Sequence, residues 1–221
     1  MTIQEAKINY EVKLSDYNTA EEGVNNSKKG VVDGVTQVVK DMYGVEVTYV
    51  DVRHSIWNEY VNVIITVGGV DFRFRIGGST GFNVDLPSIN DTLDGDIVTF
   101  AASLLMDFNG KTGGYSVIKS LCDTLIENHK IYKETSYQLD GARTQYEGLK
   151  REKKEEMFYE VVKGGDIIKR TDMVYWKVTK VTDKCVYAIH RDYHDVKSRR
   201  YKKSEFFSET NSYVNFDEVE G

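Results

Sequence analysis

The chain has 221 residues, enough for one large domain or two small ones, and its 40% apolar content with 15 tyrosines excludes a disordered protein. The net charge of -6 is unevenly spread: residues 161–204 hold twelve Lys/Arg against five Asp/Glu (+7), residues 205–221 hold five acids and no Lys/Arg (-5), and residues 1–160 carry the remaining -8. Two cysteines, Cys122 and Cys185, are too few for a disulfide framework, and the longest apolar run, Phe100 to Met106, is too short to span a bilayer.

Met1-Thr2-Ile3-Gln4-Glu5 has neither the basic region nor the apolar core of a signal peptide, so a cytoplasmic chain is expected. Ile8, Tyr10, Val12 and Leu14 alternate with Lys7, Asn9, Glu11 and Lys13, a period of two that predicts a half-buried strand. Val24, Lys28, Val31, Val32, Val35, Val38, Val39 and Met42 then recur at spacings of three and four. They predict an amphipathic helix that begins near Thr19-Ala20-Glu21-Glu22 and stops at Gly44. Its many valines are poor helix formers, so this helix leans on tertiary packing.

Three strands are predicted next, over Val45 to Val52, Tyr60 to Val67 and Val70 to Ile76, with Val67-Gly68-Gly69-Val70 as a tight hairpin connection. A glycine-rich loop, Gly77 to Gly81, leads to Pro87. Ile97, Phe100, Ala101, Leu104, Leu105 and Phe108 mark a second amphipathic helix that ends at Asn109-Gly110. The first 112 residues therefore read as an acidic α+β domain of order βαβββα, a small antiparallel sheet covered by helices.

From residue 113 to 163 there is no proline, and Ile118, Leu125, Tyr132, Leu139 and Tyr146 fall every seven residues. Leu121, Ala142 and Leu149 occupy the position three later. This narrow apolar stripe is the pattern of a coiled-coil seam or helical arm, roughly 75 Å long if continuous. Gly141 either breaks it into a hairpin or is carried within it. The heptad register holds across Gly141 and Gly148, which favours one helix. A stripe this long exceeds what a domain of about 110 residues is expected to cover. A second copy of the chain is the expected mate, with those eight side chains as the dimerisation surface, and Asn128 and Thr135 make the seam polar at its centre.

Beyond Gly164-Gly165 short strands are predicted over Asp166 to Lys169, Met173 to Thr182, Cys185 to Arg191, Lys197 to Lys203 and Ser212 to Phe216. Ser204 to Phe207 reads as a single helical turn. This is the grammar of a basic, SH3-like β-barrel over 164–216, followed by an acidic tail, 217–221. Trp176, Val178, Tyr187, Ile189 and Phe206 are its expected core, and both cysteines read as small core residues.

No complete catalytic signature is present. His190 and His194 lie four apart, but on a strand end and loop rather than a helix, with no third ligand, so no metal site is expected. Gly110-Lys111-Thr112-Gly113 lacks the first glycine and the feeding strand of a phosphate-binding loop. Gly77-Gly78-Ser79-Thr80-Gly81 is able to cradle an anion but reads more simply as a turn. Asp85, Asp91, Asp94 and Asp96 lack the acid and base partners that a magnesium-dependent nuclease needs on adjacent strands.

The basic block carries more information. Lys177, Lys180, Lys184, Arg191, Lys197, Arg199, Arg200, Lys202 and Lys203 are interleaved with Tyr175, Trp176, Tyr187, Tyr193 and Tyr201. Cations neutralise phosphates while aromatic faces stack on bases. The expectation is a non-catalytic, dimeric binding protein without a cofactor. It would grip nucleic acid, or a nucleic-acid-processing complex, through Lys180, Lys184, Arg191, Tyr193, Lys197, Arg199, Arg200, Tyr201, Lys202 and Lys203. An acidic protein surface is the other partner such a patch fits. One proline (Pro87), scarce alanine and plentiful Asn, Lys and Tyr suit an AT-rich genome such as that of many tailed phages. The alternative reading is therefore a phage-encoded inhibitor or adaptor that occupies a host protein through the α+β domain or the helical arm.

Overall fold

The computed structural model describes residues 1–55, 60–77, 83–85, 95–170, 174–190, 197–208 and 210–214. The chain is mixed helix and sheet and divides into two compact units, Lys7–Arg143 and Met1–Ala6 with Thr144–Gly221.

The first element is not a strand. Helix α1 runs from Ile3 to Tyr43 and absorbs the segment expected to be extended. Its start is a capping box: the Glu5 amide donates to Thr2 Oγ1 (3.2 Å) and the Thr2 amide donates to Glu5 Oε2 (2.7 Å). The alternation at Ile8, Val12 and Leu14 misleads because these side chains face solvent, at 52%, 50% and 36% exposure. The buried side is set by a longer period, in which Ile3, Tyr10, Tyr17, Val24, Val31 and Val38 fall every seven residues. Ala6, Ala20, Ser27 and Gly34 lie at the position three later. Gly44, at φ 68°, closes the helix by donating its amide to the Lys40 carbonyl.

A four-stranded antiparallel sheet follows, β1 (Val47–Ser55), β2 (Tyr60–Val67), β3 (Val70–Gly77) and β4 (Asn83–Asp85), in that order across the sheet. Val67 pairs with Val70 across the two-residue turn Gly68-Gly69, where φ of 56° and 80° requires glycine. Val61, Val63, Ile65 and Val67 on β2 and Phe72, Phe74 and Ile76 on β3 put one face into the core. Helix α2 (Gly95–Gly110) covers that face with Ile97, Phe100, Ala101, Leu104 and Phe108.

Helix α3 is continuous from Gly114 to Val161, with Gly141 in open space and no break at Asp140-Gly141. In the Lys7–Arg143 unit it lies antiparallel to α1. Tyr17 and Tyr132 share a hydroxyl–hydroxyl hydrogen bond of 2.6 Å. Asn128 Nδ2 donates to Ser27 Oγ and to the Gly23 carbonyl, and Leu121 seats against Gly34. A Cβ at Gly34 would stand 2.3 Å from Leu121 Cδ1, so this crossing needs a residue with no side chain. Asp107 locks the opposite end: its carboxylate accepts from the Tyr43 hydroxyl (2.7 Å) and the Gly114 amide (3.4 Å). Val31, Val35, Val38 and Val39 of α1 share one core with the sheet, α2, and Tyr115, Ile118, Cys122, Leu125 and Ile126 of α3.

The mate of the α3 stripe is thus supplied by the same chain. Ile118, Leu125 and Ala142 are buried within a single copy, and Leu121, Tyr132, Leu139, Tyr146 and Leu149 are half-buried. The first third of residues 1–112 is a 41-residue helix with a heptad seam of its own, which supplies this cover where a second copy was expected.

The C-terminal residues form a five-stranded antiparallel sheet from β5 (Ile167–Arg170), β6 (Tyr175–Val181), β7 (Cys185–His190), β8 (Arg199–Lys202) and β9 (Thr210–Val214), ordered β8-β7-β6-β5-β9. Helix α4 (Lys203–Ser208) is the expected helical turn. Its core is Val162, Ile168, Trp176, Val178, Val186, Ala188 and Phe206, with Phe158 and Tyr159 from the last turns of α3 packed against it. The short strands and the turn are those expected, but the described strands form an antiparallel sheet and not the closed barrel expected from the sequence. Pairing among the described strands runs in this open order.

Candidate functional site

The outer face of β6, β7 and β8 gathers the positive charge. Strand alternation sends Trp176, Val178, Val186 and Ala188 into the core and their neighbours outward. An irregularity between Val178 and Lys180 shifts the register there, so that Lys180 stands opposite Tyr187 and Tyr187 opposite Arg200. One cross-strand row therefore reads Lys180–Tyr187–Arg200. The next rows bring Lys177 opposite Ile189 and Lys202 opposite Cys185. Lys177, Lys180, Arg200 and Lys202 are exposed, Tyr187 is half-buried, and β6, β7 and β8 contain no Asp or Glu. Among the described residues none of these cations has a carboxylate within ion-pair distance.

The face is braced. Arg200 Nε donates to Cys185 Sγ at 3.0 Å, which holds the guanidinium along the strand and covers the thiol. Cys185 is buried, as expected of a small core residue, with this contact on its sulfur. Thr179 Oγ1 donates to the Tyr187 carbonyl (3.0 Å) and hydrogen-bonds Ser198 Oγ (2.9 Å), tying β6 to β7 and to the residues before β8. Thr182 Oγ1 donates to the Cys185 carbonyl (2.9 Å) and accepts from its amide (3.1 Å), closing the turn that presents Lys184.

The sequence-selected residues do not all share this face. Lys180, Arg200 and Lys202 do; the exposed Lys184 lies in the turn before β7, the exposed Lys197 two residues before β8 and the exposed Arg199 at its start. Tyr201 lies on the other side, paired with Val186 and packed edge-on to Trp176 at 5.7 Å and against Phe206 at 5.6 Å. It is a core-side ring because β8 alternates, and a run of adjacent basic and aromatic residues cannot all face one way. Lys203 is half-buried, its ammonium 4.7 Å from the centre of the Tyr159 ring, and its carbonyl accepts from the Tyr159 hydroxyl at 2.6 Å. Burial, reinforced by Glu155, pushes the Tyr159 hydroxyl well above the usual phenol range. Lys203 lines a groove together with Glu152, Glu155, Glu156 and Glu160. Arg191 and Tyr193 lie outside the described residues.

Tyr187 and Ile189, expected in the core, are half-buried and lie outside it, on the face that also carries Lys177. The alternation of Cys185, Tyr187 and Ile189 against Val186 and Ala188 carries the needed signal once Val186 is recognised as interior.

The remaining motifs resolve structurally. Lys111 and Thr112 form the α2–α3 turn, with Lys111 at φ 53° and the Thr112 amide donating to the Asp107 carbonyl. His190 ends β7 with its ring 5.5 Å from Trp176, while His194 is outside the described residues, as are Gly78 to Gly81, Asp91 and Asp94. Among the described residues no three His, Cys, Asp or Glu side chains converge as a metal site, and no helix is long and apolar enough to cross a membrane. No family model, curated protein or solved structure matches the chain.

Proposed function

We propose that this chain is a non-catalytic nucleic-acid-binding protein that engages phosphates through the outer face of β6–β8. The observation that carries the reading is the Lys180–Tyr187–Arg200 row with Lys177 and Lys202 beside it, on strands free of carboxylates. A cation held on a rigid strand with no carboxylate in ion-pair distance among the described residues gains by neutralising a phosphate and releasing its counterion. The acidic remainder of the chain repels the same ligand, which confines contact to this face. The reading needs only one copy of the chain.

The test is fluorescence anisotropy with labelled oligonucleotides across a salt series. Binding is expected to weaken steeply with salt, and Lys180→Ala/Arg200→Ala/Lys202→Ala is expected to weaken it at every salt concentration. Retained affinity in that triple variant, with an unchanged salt dependence, overturns the reading. A protein target captured equally well by the wild type and the triple variant would instead favour an adaptor that works through its other unit.

A further inference from the structure

Tyr187 sits at the centre of the basic row, between Lys180 on one neighbouring strand and Arg200 on the other. Neighbouring strands lie about 4.8 Å apart, so the Cα atoms of the two cations are about 10 Å apart with the tyrosine between them. Their long side chains reach phosphates on both sides of a base laid on the ring. Arg200, paired across the strands with Tyr187, is already held by its bond to Cys185, and the Tyr187 backbone is pinned by Thr179, so little order has to be created on binding.

We infer that the ligand of this face is single-stranded nucleic acid, with one base stacked on Tyr187 and its flanking phosphates held by Lys180 and Arg200. The inference rests on the nucleic-acid reading above and narrows it. A duplex keeps both faces of each internal base covered by its neighbours, so a ring on an open sheet has nothing to stack on. A single strand turns its bases out, and aromatic platforms on positively charged sheets exploit this without sequence preference. Ile189, half-buried in the next row opposite Lys177, extends the platform with apolar surface for the adjoining nucleotide.

The experiment compares a fluorescein-labelled oligo-dT, an oligo-U and a mixed-sequence duplex on the full-length protein and two variants. Tyr187→Leu keeps apolar bulk and removes the ring. Tyr187→Phe keeps the ring, and circular dichroism establishes that both are folded. Single strands are expected to bind the wild type more tightly than the duplex. Tyr187→Leu is expected to lose about tenfold in single-strand affinity, in line with the stacking contribution of one base, with duplex binding unchanged and Tyr187→Phe close to wild type. Equal binding of duplex and single strand, or full single-strand affinity in a folded Tyr187→Leu, overturns this inference while leaving the functional reading intact. Binding of none of the probes overturns both.

Discussion

At the scale of single residues, the fold depends on places where a side chain is missing. Gly34 lets Leu121 approach the α1 backbone, and a side chain there would overlap the leucine. Gly34→Val is expected to destabilise the protein by about 2 kcal/mol through overpacking. The same change in a Leu121→Ala background is expected to cost far less, because the obstructing atoms are gone. Urea midpoints for the four proteins of that cycle measure the coupling directly, and equal costs in the two backgrounds would contradict the contact. A second residue-scale consequence concerns pH. The His54 and His129 rings stack 3.9 Å apart and nearly parallel, with Tyr132 edge-on to His129. Burial, and then the positive charge of Lys28, hold the His129 pKa below its usual value. A histidine whose folded pKa is depressed binds fewer protons folded than unfolded. Its contribution is therefore complete above the unfolded value of about 6.5 and is lost as the pH falls through the folded one. Stability to urea should thus decline on mild acidification, and His129→Gln should flatten that decline. An identical decline in the variant would assign it to other groups.

At the scale of elements, the decisive event is the pairing of α1 with α3. Each helix carries a sparse heptad seam. The α1 seam is rich in small residues (Ala6, Ala20, Ser27, Gly34) and the α3 seam in large ones (Leu121, Leu125, Tyr132, Leu139), so the two fit by size. Neither stripe has a wide apolar face, and neither helix would be stable alone. Asn128 pins the register by donating to Ser27 and Gly23, since a polar group held in the seam is satisfied only where its partners stand. Ser27→Cys/Asn128→Cys should therefore oxidise to a disulfide within one chain, running as a monomer on a non-reducing gel. A covalent dimer at low protein concentration would show that the α3 seam takes its mate from another copy.

At the scale of the whole molecule, charge is segregated along the chain, +7 over residues 161–204 against -8 over 1–160. That asymmetry gives the salt experiment its quantitative form. Each phosphate-contacting cation removed from the β6–β8 face should lower the slope of log affinity against log salt by about one. Lys203→Ala should change it little, because that ammonium lies over the Tyr159 ring in a groove lined by glutamates, away from the β6–β8 face. A slope that falls equally for Lys203→Ala and Lys180→Ala would mean that the acidic groove does not withhold Lys203 from the ligand.

The sequence by itself determined the local elements whose period and punctuation agree: the Gly68-Gly69 hairpin, the alternating β2 and β3, the buried stripe of α2 and the short C-terminal strands. In each, burial follows a period that a few neighbouring residues establish. It also carried the heptads of α1 and the Thr2–Glu5 capping box, but an eight-residue stretch of alternation at Lys7 to Leu14 imitates a strand, and only the longer period separates the two. Tertiary structure alone decided which seam mates with which, because a stripe states that it needs a cover and not which segment provides it. It also decided which cations share a face. A basic run such as Arg199 to Lys203 is one patch in sequence, but strand alternation and the start of α4 send Arg200 and Lys202 outward, Tyr201 into the core and Lys203 to an acidic groove. Direction belongs to the backbone that carries a side chain, and that backbone is fixed by its partners across the sheet.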